Sequence, residues 1–314
     1  MSDIVQLTVS DFADLFGTTV GDFSSGVQAM IEKCDFRFVR LDVARQRQIM
    51  DMIQKRLEED TPLFARAGEK RQGRWQEGWS ENLHEFEESG CDVEKLVPKY
   101  YDRPGTPVRL LGEYVEPVSS QFELNLRRVF AQWLFEKYFI EASAVYEFGC
   151  GSGMNLAMLA QMYPKKQIVG LDWATASRDI VEVMRARCGW HVRGEVFDMF
   201  KPTMDGDFGA QSALLAFHAL EQLGRNFDSF LQFVLERKFA CFVHVDGIEE
   251  LYDPHSPIDA LALQFHRKRN YLSGYLSHLQ KLVSVGSVQL VRVHRVHVGN
   301  LYHDAYSYIV WRPL

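Results

Sequence analysis

The sequence predicts an α/β protein: a doubly wound, mostly parallel seven-stranded sheet ending in an antiparallel hairpin, preceded by an N-terminal helical extension. Three observations carry this. Apolar strand-like runs alternate with helix-like runs across residues 144–245, the pattern that lays crossover helices on both faces of a parallel sheet. The last two strand-like runs, 288–298 and 306–311, are separated only by a short polar stretch at 299–304, and so short a link reverses the chain. Before residue 105 the alternation is absent and helical spacing takes its place.

In chain order, residues 42–59 set Val43, Ile49, Met50, Ile53 and Leu57 at near-helical spacing, and a polar stretch bearing Trp75, Trp79 and Asn82 follows at 71–89. Asp-Arg-Pro-Gly-Thr-Pro at 102–107 is a turn or linker, because Pro and Gly stop both helix and strand. Residues 1–119 thus form a mainly helical extension or lid, and 120–314 the sheet domain. Residues 122–138 place Leu126, Val129, Phe130, Trp133, Leu134 and Phe135 largely on one helical face. Then come strand 144–148, helix 154–162, strand 167–171, helix 174–187, strands 191–197 and 213–217, helix 226–237 and strand 239–245. A long helical pattern over 256–282 precedes the closing hairpin.

Composition narrows the function. A chain of 314 residues with 46% hydrophobic content can bury a large core, yet no apolar run reaches the ~18 residues of a membrane span. The net charge of -7 gives no drive toward nucleic acid or an anionic membrane. Five cysteines (Cys34, Cys91, Cys150, Cys188, Cys241) are scattered, odd in number and without a C-x-x-C pair, which reads as reduced, buried thiols. Residues 1–30 lack a basic stretch followed by an apolar one, so a cytoplasmic soluble protein is expected.

The chemistry concentrates at Val145-Tyr-Glu-Phe-Gly-Cys-Gly-Ser-Gly153, between a strand and a helix. Alternate glycines let backbone turn with positive φ and approach a ligand closely. The dinucleotide fingerprint is G-x-G-x-x-G; here Gly149, Gly151 and Gly153 follow a G-x-G-x-G spacing with Glu147 two residues ahead. A pyrophosphate has no use for a carboxylate so close, whereas a ligand with a sulfonium and an α-amino group does. An ordinary tight strand-to-helix turn is the plainer alternative. The full pattern resembles motif I (E/D-x-G-x-G-x-G) of the class I methyltransferases, whose fold ends its parallel sheet in a reversed strand pair. The resemblance covers roughly residues 120–314 and implies a Rossmann-like methyltransferase domain with S-adenosylmethionine as cofactor.

Ligands of doubly wound sheets lie across the carboxyl ends of the strands. The resemblance places Glu147 toward the amino group of the methionine moiety. Asp172, 19 residues after Gly153, suits the ribose hydroxyls, of NAD equally well. Trp173 is an adenine platform or a core tryptophan. Asp198 matches the family's acceptor for the adenine amino group, with Met199 offering a backbone N–H; alone, such an Asp is more often a cap or a turn residue. Phe217 ends the fourth strand beside cofactor and acceptor, and Gln222 stands where many small-molecule methyltransferases carry His.

For methyl transfer the protein must align donor and nucleophile and exclude water; a hydroxyl acceptor also needs a proton acceptor in reach, an amine only its neutral form. The candidates are His218, Glu221 and the pair His244–Asp246, which share a strand face by period-two alternation; a satisfied core histidine with a capping Asp is the bland reading. His255, Arg267, Arg269 and Tyr271, with Trp79 from the extension, are candidate acceptor contacts suited to an anionic small molecule, against the default of a solvated helix face. His294 and His297, three apart on one expected strand, face opposite ways, and no metal is expected. His303 and Asp304 fall in the hairpin turn. The N-terminal segment, Arg267–Tyr275 and the C-terminal Tyr306–Pro313 are similar to a group of sugar O-methyltransferases, which implies a sugar or other hydroxylated metabolite as acceptor. An amine acceptor, an NAD(P)-dependent oxidoreductase and a cofactor-binding scaffold stay open beside it. The extension either closes over the cofactor or serves as a homodimer contact.

Overall fold

The computed structural model describes residues 4–59, 61–101 and 103–314, and of Leu63 the backbone only. Its elements run β1 (Ile4–Gln6), α1 (Val9–Phe16), α2 (Ser25–Lys33), β2 (Arg37–Arg40), α3 (Val43–Glu58), α4 (Gln72–Glu88), β3 (Val108–Leu110), β4 (Glu113–Pro117), α5 (Phe122–Phe139), β5 (Ala144–Phe148), α6 (Met154–Met162), β6 (Gln167–Asp172), α7 (Thr175–Ala186), β7 (Val192–Val196), β8 (Ala213–Phe217), α8 (Asp228–Leu235), β9 (Cys241–Val245), α9 (Pro257–Arg269), α10 (Tyr275–Ser284), β10 (Val288–His294), β11 (Val298–Gly299) and β12 (Tyr308–Pro313). Asp102, first residue of the expected linker, lies outside the described residues. No helix among the described residues is long and apolar enough to cross a membrane.

Seven strands build the central sheet in the order β10-β12-β9-β8-β5-β6-β7. β5 pairs parallel with β6 and β8, and the parallel register continues to β7 and β9. β12 runs antiparallel to both β9 and β10. This is the mostly parallel sheet with a reversed finish expected from the sequence. Because strand side chains alternate, Val145, Ile168, Leu215 and Val243 pack on one face with α5, α6 and α7, while Tyr146, Phe148, Leu214 and Phe242 pack on the other with α8 and α10. A strand apolar on both faces is what a doubly covered sheet requires.

Four features differ from the sequence reading. First, the N-terminal region is not helix alone: β1, β2, β4 and β3 form an antiparallel sheet, and β11 from the far end of the chain adds a fifth strand beside β3. The sheet therefore spans the expected boundary at 119/120. Second, the helical pattern at 256–282 is two helices: Asn270 takes left-handed geometry (φ 55°) after α9, and Gly274 does so before α10. Third, the segment between β10 and β12 is no exposed turn. Arg295 leaves the strand line to pair with Asp259 and Asp304 at 2.6 and 2.7 Å, and Arg109 of β3 meets the same two carboxylates at 2.7 Å each. Asp304 and His303 are buried. Two guanidiniums against two carboxylates balance in charge, which such a buried cluster needs. Fourth, Cys91 and Cys188 are joined in a disulfide with Cα atoms 6.0 Å apart; Cys150 is buried, and Cys34 and Cys241 are half-buried free thiols. The expectation of five reduced cysteines fails because α4 packs along α7 and brings the residues just past both helix ends together.

α5 is buried nearly all round rather than on one face, since it lies between the central sheet and the α1–α2 layer. Trp133 stacks on Phe16 at 5.1 Å and meets Tyr308 edge-on at 5.8 Å.

Candidate active site

β5 ends at the glycine turn. Gly149 and Gly151 hold φ of 68° and 53°, and a Cβ on Gly149 would stand 2.4 Å from the Cβ of Ala219. A Cβ on Gly151 would stand 2.8 Å from the Trp79 ring. Both positions need glycine for backbone geometry and for close approach. Gly153, also left-handed, stands at the start of α6, and the Gly151 N–H donates to Asp172 Oδ2 at 2.9 Å. The loop is thereby held across the ends of β5 and β6.

Beneath it lies a buried polar chain. Arg127 of α5 donates to Asn155 Oδ1 at 2.6 Å, and Asn155 Nδ2 donates to Glu147 Oε1 at 2.6 Å. Among the described residues Glu147 Oε2 has no hydrogen-bond partner. Burial pushes the Glu147 carboxyl up to about 8, against the pull of Asn155 and Arg127. Burial also raises Asp172 to about 6, although Ala174 and Gly151 backbone N–H groups favour its charge. Both oxygens of Asp172 accept a backbone N–H, whereas Glu147 is held by one oxygen only, the state of a group that expects another partner.

A small cavity of about 60 Å³ opens at these strand ends, lined among others by Gly149, Asp172, Trp173, Met199, His218 and Gln222. Its roof is α4: Trp75 and Trp79 stack at 5.4 Å, and Trp75 Nε1 donates to Gln222 Oε1 at 3.4 Å. Gln76 fastens the helix to the start of α7 by accepting from the Ala176 N–H at 3.2 Å. Trp173 stacks on Phe200 at 5.7 Å with one face toward the cavity. Asp198 does not line this space; its Oδ1 accepts from the Phe200 N–H at 2.9 Å, the turn-capping role. Phe217 also lies off the cavity, with the Arg127 guanidinium 4.6 Å from its ring centroid.

Beyond the tryptophan pair lies a larger cavity of about 990 Å³, sharing Trp75, Trp79 and His218 with the first. Arg71, Arg74, Arg103 and Arg269 stand on its wall with Tyr271, Tyr306, Glu123 and Glu221. His218 sits in left-handed backbone geometry (φ 56°), unusual for a residue with a Cβ and a sign of local constraint. Its N–H donates to the Val245 carbonyl at 2.9 Å, and its Nδ1 lies 3.8 Å from Asp246 Oδ1. His244 and Asp246 share a face: His244 Nε2 is 2.7 Å from Asp246 Oδ2, with both side chains fully enclosed. Burial pushes both imidazoles down to about 3, and His218 keeps a fifth of its side chain exposed. Burial, then the nearby Asp246 charge, pushes Glu221 up to about 8.

The sequence-derived acceptor residues divide. Trp79, Arg269 and Tyr271 reach the large cavity. His255 and Arg267 are exposed elsewhere; Arg267 and Arg269 are two positions apart on α9, hence on opposing sides of the helix. His294 closes β10, with its Nε2 2.9 Å from the Leu15 carbonyl oxygen, and His297 lies past the strand. Sequence reasoning missed Arg127 and Asn155. The arginine pair Arg127-Arg128 inside the apolar pattern of α5 was the available signal.

No family model and no curated protein matches this chain. Among solved structures it is similar to an S-adenosylmethionine-dependent methyltransferase from Aquifex aeolicus, at 17% identity over 70% of this chain and 97% of that one, with a TM-score of 0.43. It is also similar to geranyl diphosphate C-methyltransferase from Streptomyces coelicolor A3(2), solved with Mg2+, at 12% identity over 71% and 98% of the two chains, TM-score 0.45. A third is magnesium protoporphyrin IX methyltransferase from Synechocystis, at 10% identity over 58% and 78%, TM-score 0.43. Shapes that coincide this partially leave the site to be read from its own residues.

Proposed function

We propose that this chain is an S-adenosylmethionine-dependent methyltransferase acting on a hydroxyl of a small, anionic, sugar-like metabolite. One observation carries the reading: the glycine turn sits above a buried carboxylate with an unpartnered oxygen, Glu147 Oε2, and beside a second carboxylate, Asp172, on the cavity wall. A dinucleotide pyrophosphate gains nothing from these carboxyls, whereas an α-ammonium suits Glu147 and a ribose diol suits Asp172. The cofactor supplies a methyl group activated on a sulfonium.

The chain supplies the rest. Asp172 has a second lone pair on each oxygen beyond the backbone N–H groups it already accepts. Trp173 offers a flat apolar face and Met199 a wall for a base. The first cavity is smaller than a nucleoside, so Trp79, which stands over Gly151, swings aside when the site fills and then shields it from water. The arginines of the larger cavity orient a phosphate or carboxylate on the acceptor. Its hydroxyl proton leaves toward the corner formed by His218 and Glu221.

The test is a turnover screen in which the protein and S-adenosylmethionine meet sugars, sugar phosphates, nucleotide sugars and small amines, with demethylated cofactor and methylated product read by mass spectrometry. O-methylated sugar product supports the reading. Product from amines alone would make the chain an N-methyltransferase, and reduction or oxidation of NAD(P) without methyl transfer would make it an oxidoreductase.

A further inference from the structure

His218, Glu221 and Asp246 converge from different parts of the β8 and β9 ends. One ligand-capable atom from each lies within 4.8 Å of the other two. Ligands ~2.1–2.3 Å from one ion stand roughly 3.0–4.6 Å apart, from right-angled to opposed positions, and His218 Nδ1 and Asp246 Oδ1 at 3.8 Å already fall in that range.

Three further observations aim this cluster at an ion. Asp246 is fully buried, and among the described residues its Oδ1 has no well-formed hydrogen bond, although the backbone N–H groups of Glu221 and Leu220 lie close enough to favour the charge of the carboxyl, while Oδ2 is engaged by His244 Nε2 at 2.7 Å. That bond fixes the carboxylate and leaves Oδ1 turned toward His218, the arrangement of an outer residue that orients a metal-binding carboxylate. Glu221 Oε1 accepts from Gln222 Nε2 at 3.1 Å, which orients it likewise. Finally, His218 and Glu221 both line the large cavity, so one side of the cluster opens on the space where an acceptor binds, and remaining coordination positions are available to water or substrate.

We propose that His218, Glu221 and Asp246 form a binding site for one divalent cation of the Mn2+ or Mg2+ type. Two carboxylates and one neutral imidazole balance a dication, and the predominance of oxygen donors favours these ions over those that prefer thiolate. Arg269, whose charge reaches Glu221, weakens the site without filling it. The role in catalysis rests on the methyl-transfer reading above; occupancy does not. With the cation in place His218 and Glu221 would serve as its ligands instead of as proton acceptors: an acceptor hydroxyl on the cation would give its proton to cavity water, its O–H electron pair would stay on oxygen, and that pair would form the new bond to the methyl carbon as the carbon–sulfur bond breaks toward sulfur.

The experiment uses the full chain, stripped with chelator and freed of cofactor, titrated with MnCl2 while free Mn2+ is followed by electron paramagnetic resonance. We expect one Mn2+ per chain, displaced by excess Mg2+, with affinity reduced about tenfold or more in Glu221→Gln and Asp246→Asn. A His294→Asn control should bind as the parent does. Should a variant fail to fold, the parent protein still decides, because electron spin-echo modulation from an imidazole nitrogen is expected on its bound Mn2+; in folded His218→Ala that modulation should be lost. Absence of Mn2+ binding at millimolar ion, or binding indifferent to all three substitutions, overturns the site. Because no methyl donor is present, these outcomes are independent of turnover; Mn2+ bound as described without any methyl transfer overturns the function and leaves the site standing.

Discussion

Replacing Glu147 with Gln separates a stability role from a ligand role. The carboxyl is 1% exposed and is pushed up to about 8 by burial. In the unfolded chain it titrates near 4.5. A raised folded value means that the folded state holds the proton longer. The stabilisation this gives is complete below about pH 4.5 and is lost as pH rises through 8, at ~1.4 kcal/mol per pH unit between the two. Across that window the parent therefore loses about 3–5 kcal/mol relative to a variant with no proton there to release. The assay is urea unfolding of both proteins at half-unit steps from pH 4 to 9, comparing their difference so that Asp172 and the other titrating groups cancel. The gap should grow in favour of Glu147→Gln as pH rises, then level off above 8. A gap that stays constant with pH would refute the claim that a buried, half-partnered carboxyl sits beneath the loop. In the ligand role, an ammonium paired with Glu147 restores its charge, so S-adenosylhomocysteine binding at pH 7 should release a proton. Calorimetry in buffers of different ionisation heat detects that release, and Glu147→Gln should abolish it.

Asp172→Asn should weaken S-adenosylhomocysteine binding roughly 10- to 150-fold, the loss of charge-assisted hydrogen bonds worth about 1.5–3 kcal/mol, read by calorimetry on protein shown to be folded. Gly149→Ala places a methyl 2.4 Å from the Ala219 Cβ at a φ of 68°. The combined clash and left-handed strain should cost roughly 2–4 kcal/mol, seen as a lower urea midpoint. Cys91→Ser opens the bridge to Cys188, which closes a sequence separation of 97 residues. Its loss should lower stability by about 2–4 kcal/mol, and reductant should shift the parent's melting to match; unchanged melting in both would argue against the bond.

The parallel core was legible because its signals are local. An apolar strand broken only by Glu147, a glycine turn and a helix follow one another within residues 144–162, and strand and helix runs go on alternating through most of residues 167–245. The N-terminal sheet was not, because its strands are two to five residues long and, apart from the β3–β4 pair, their partners are remote. β11 pairs with β3 across most of the chain, and two residues carry no readable alternation. Arg295 was read as a strand residue; only the distant Asp259 shows why the chain bends inward there. Asn270 and Gly274, by contrast, were readable stops inside the 256–282 pattern. At the site, alternation along one strand was enough to put His244 and Asp246 together, whereas bringing His218 and Glu221 to them required β8 and β9 to be neighbours. The disulfide belongs to the same class of fact, since it depends on α4 packing along α7.

The most direct measurement of the central claim is calorimetric titration of the parent protein with S-adenosylhomocysteine and, separately, with NADH and NADPH. The account predicts one S-adenosylhomocysteine per chain, accompanied by a change in the fluorescence of the Trp75–Trp79 pair as Trp79 gives way, and no heat from either dinucleotide. Saturable dinucleotide binding with no response to S-adenosylhomocysteine would contradict it.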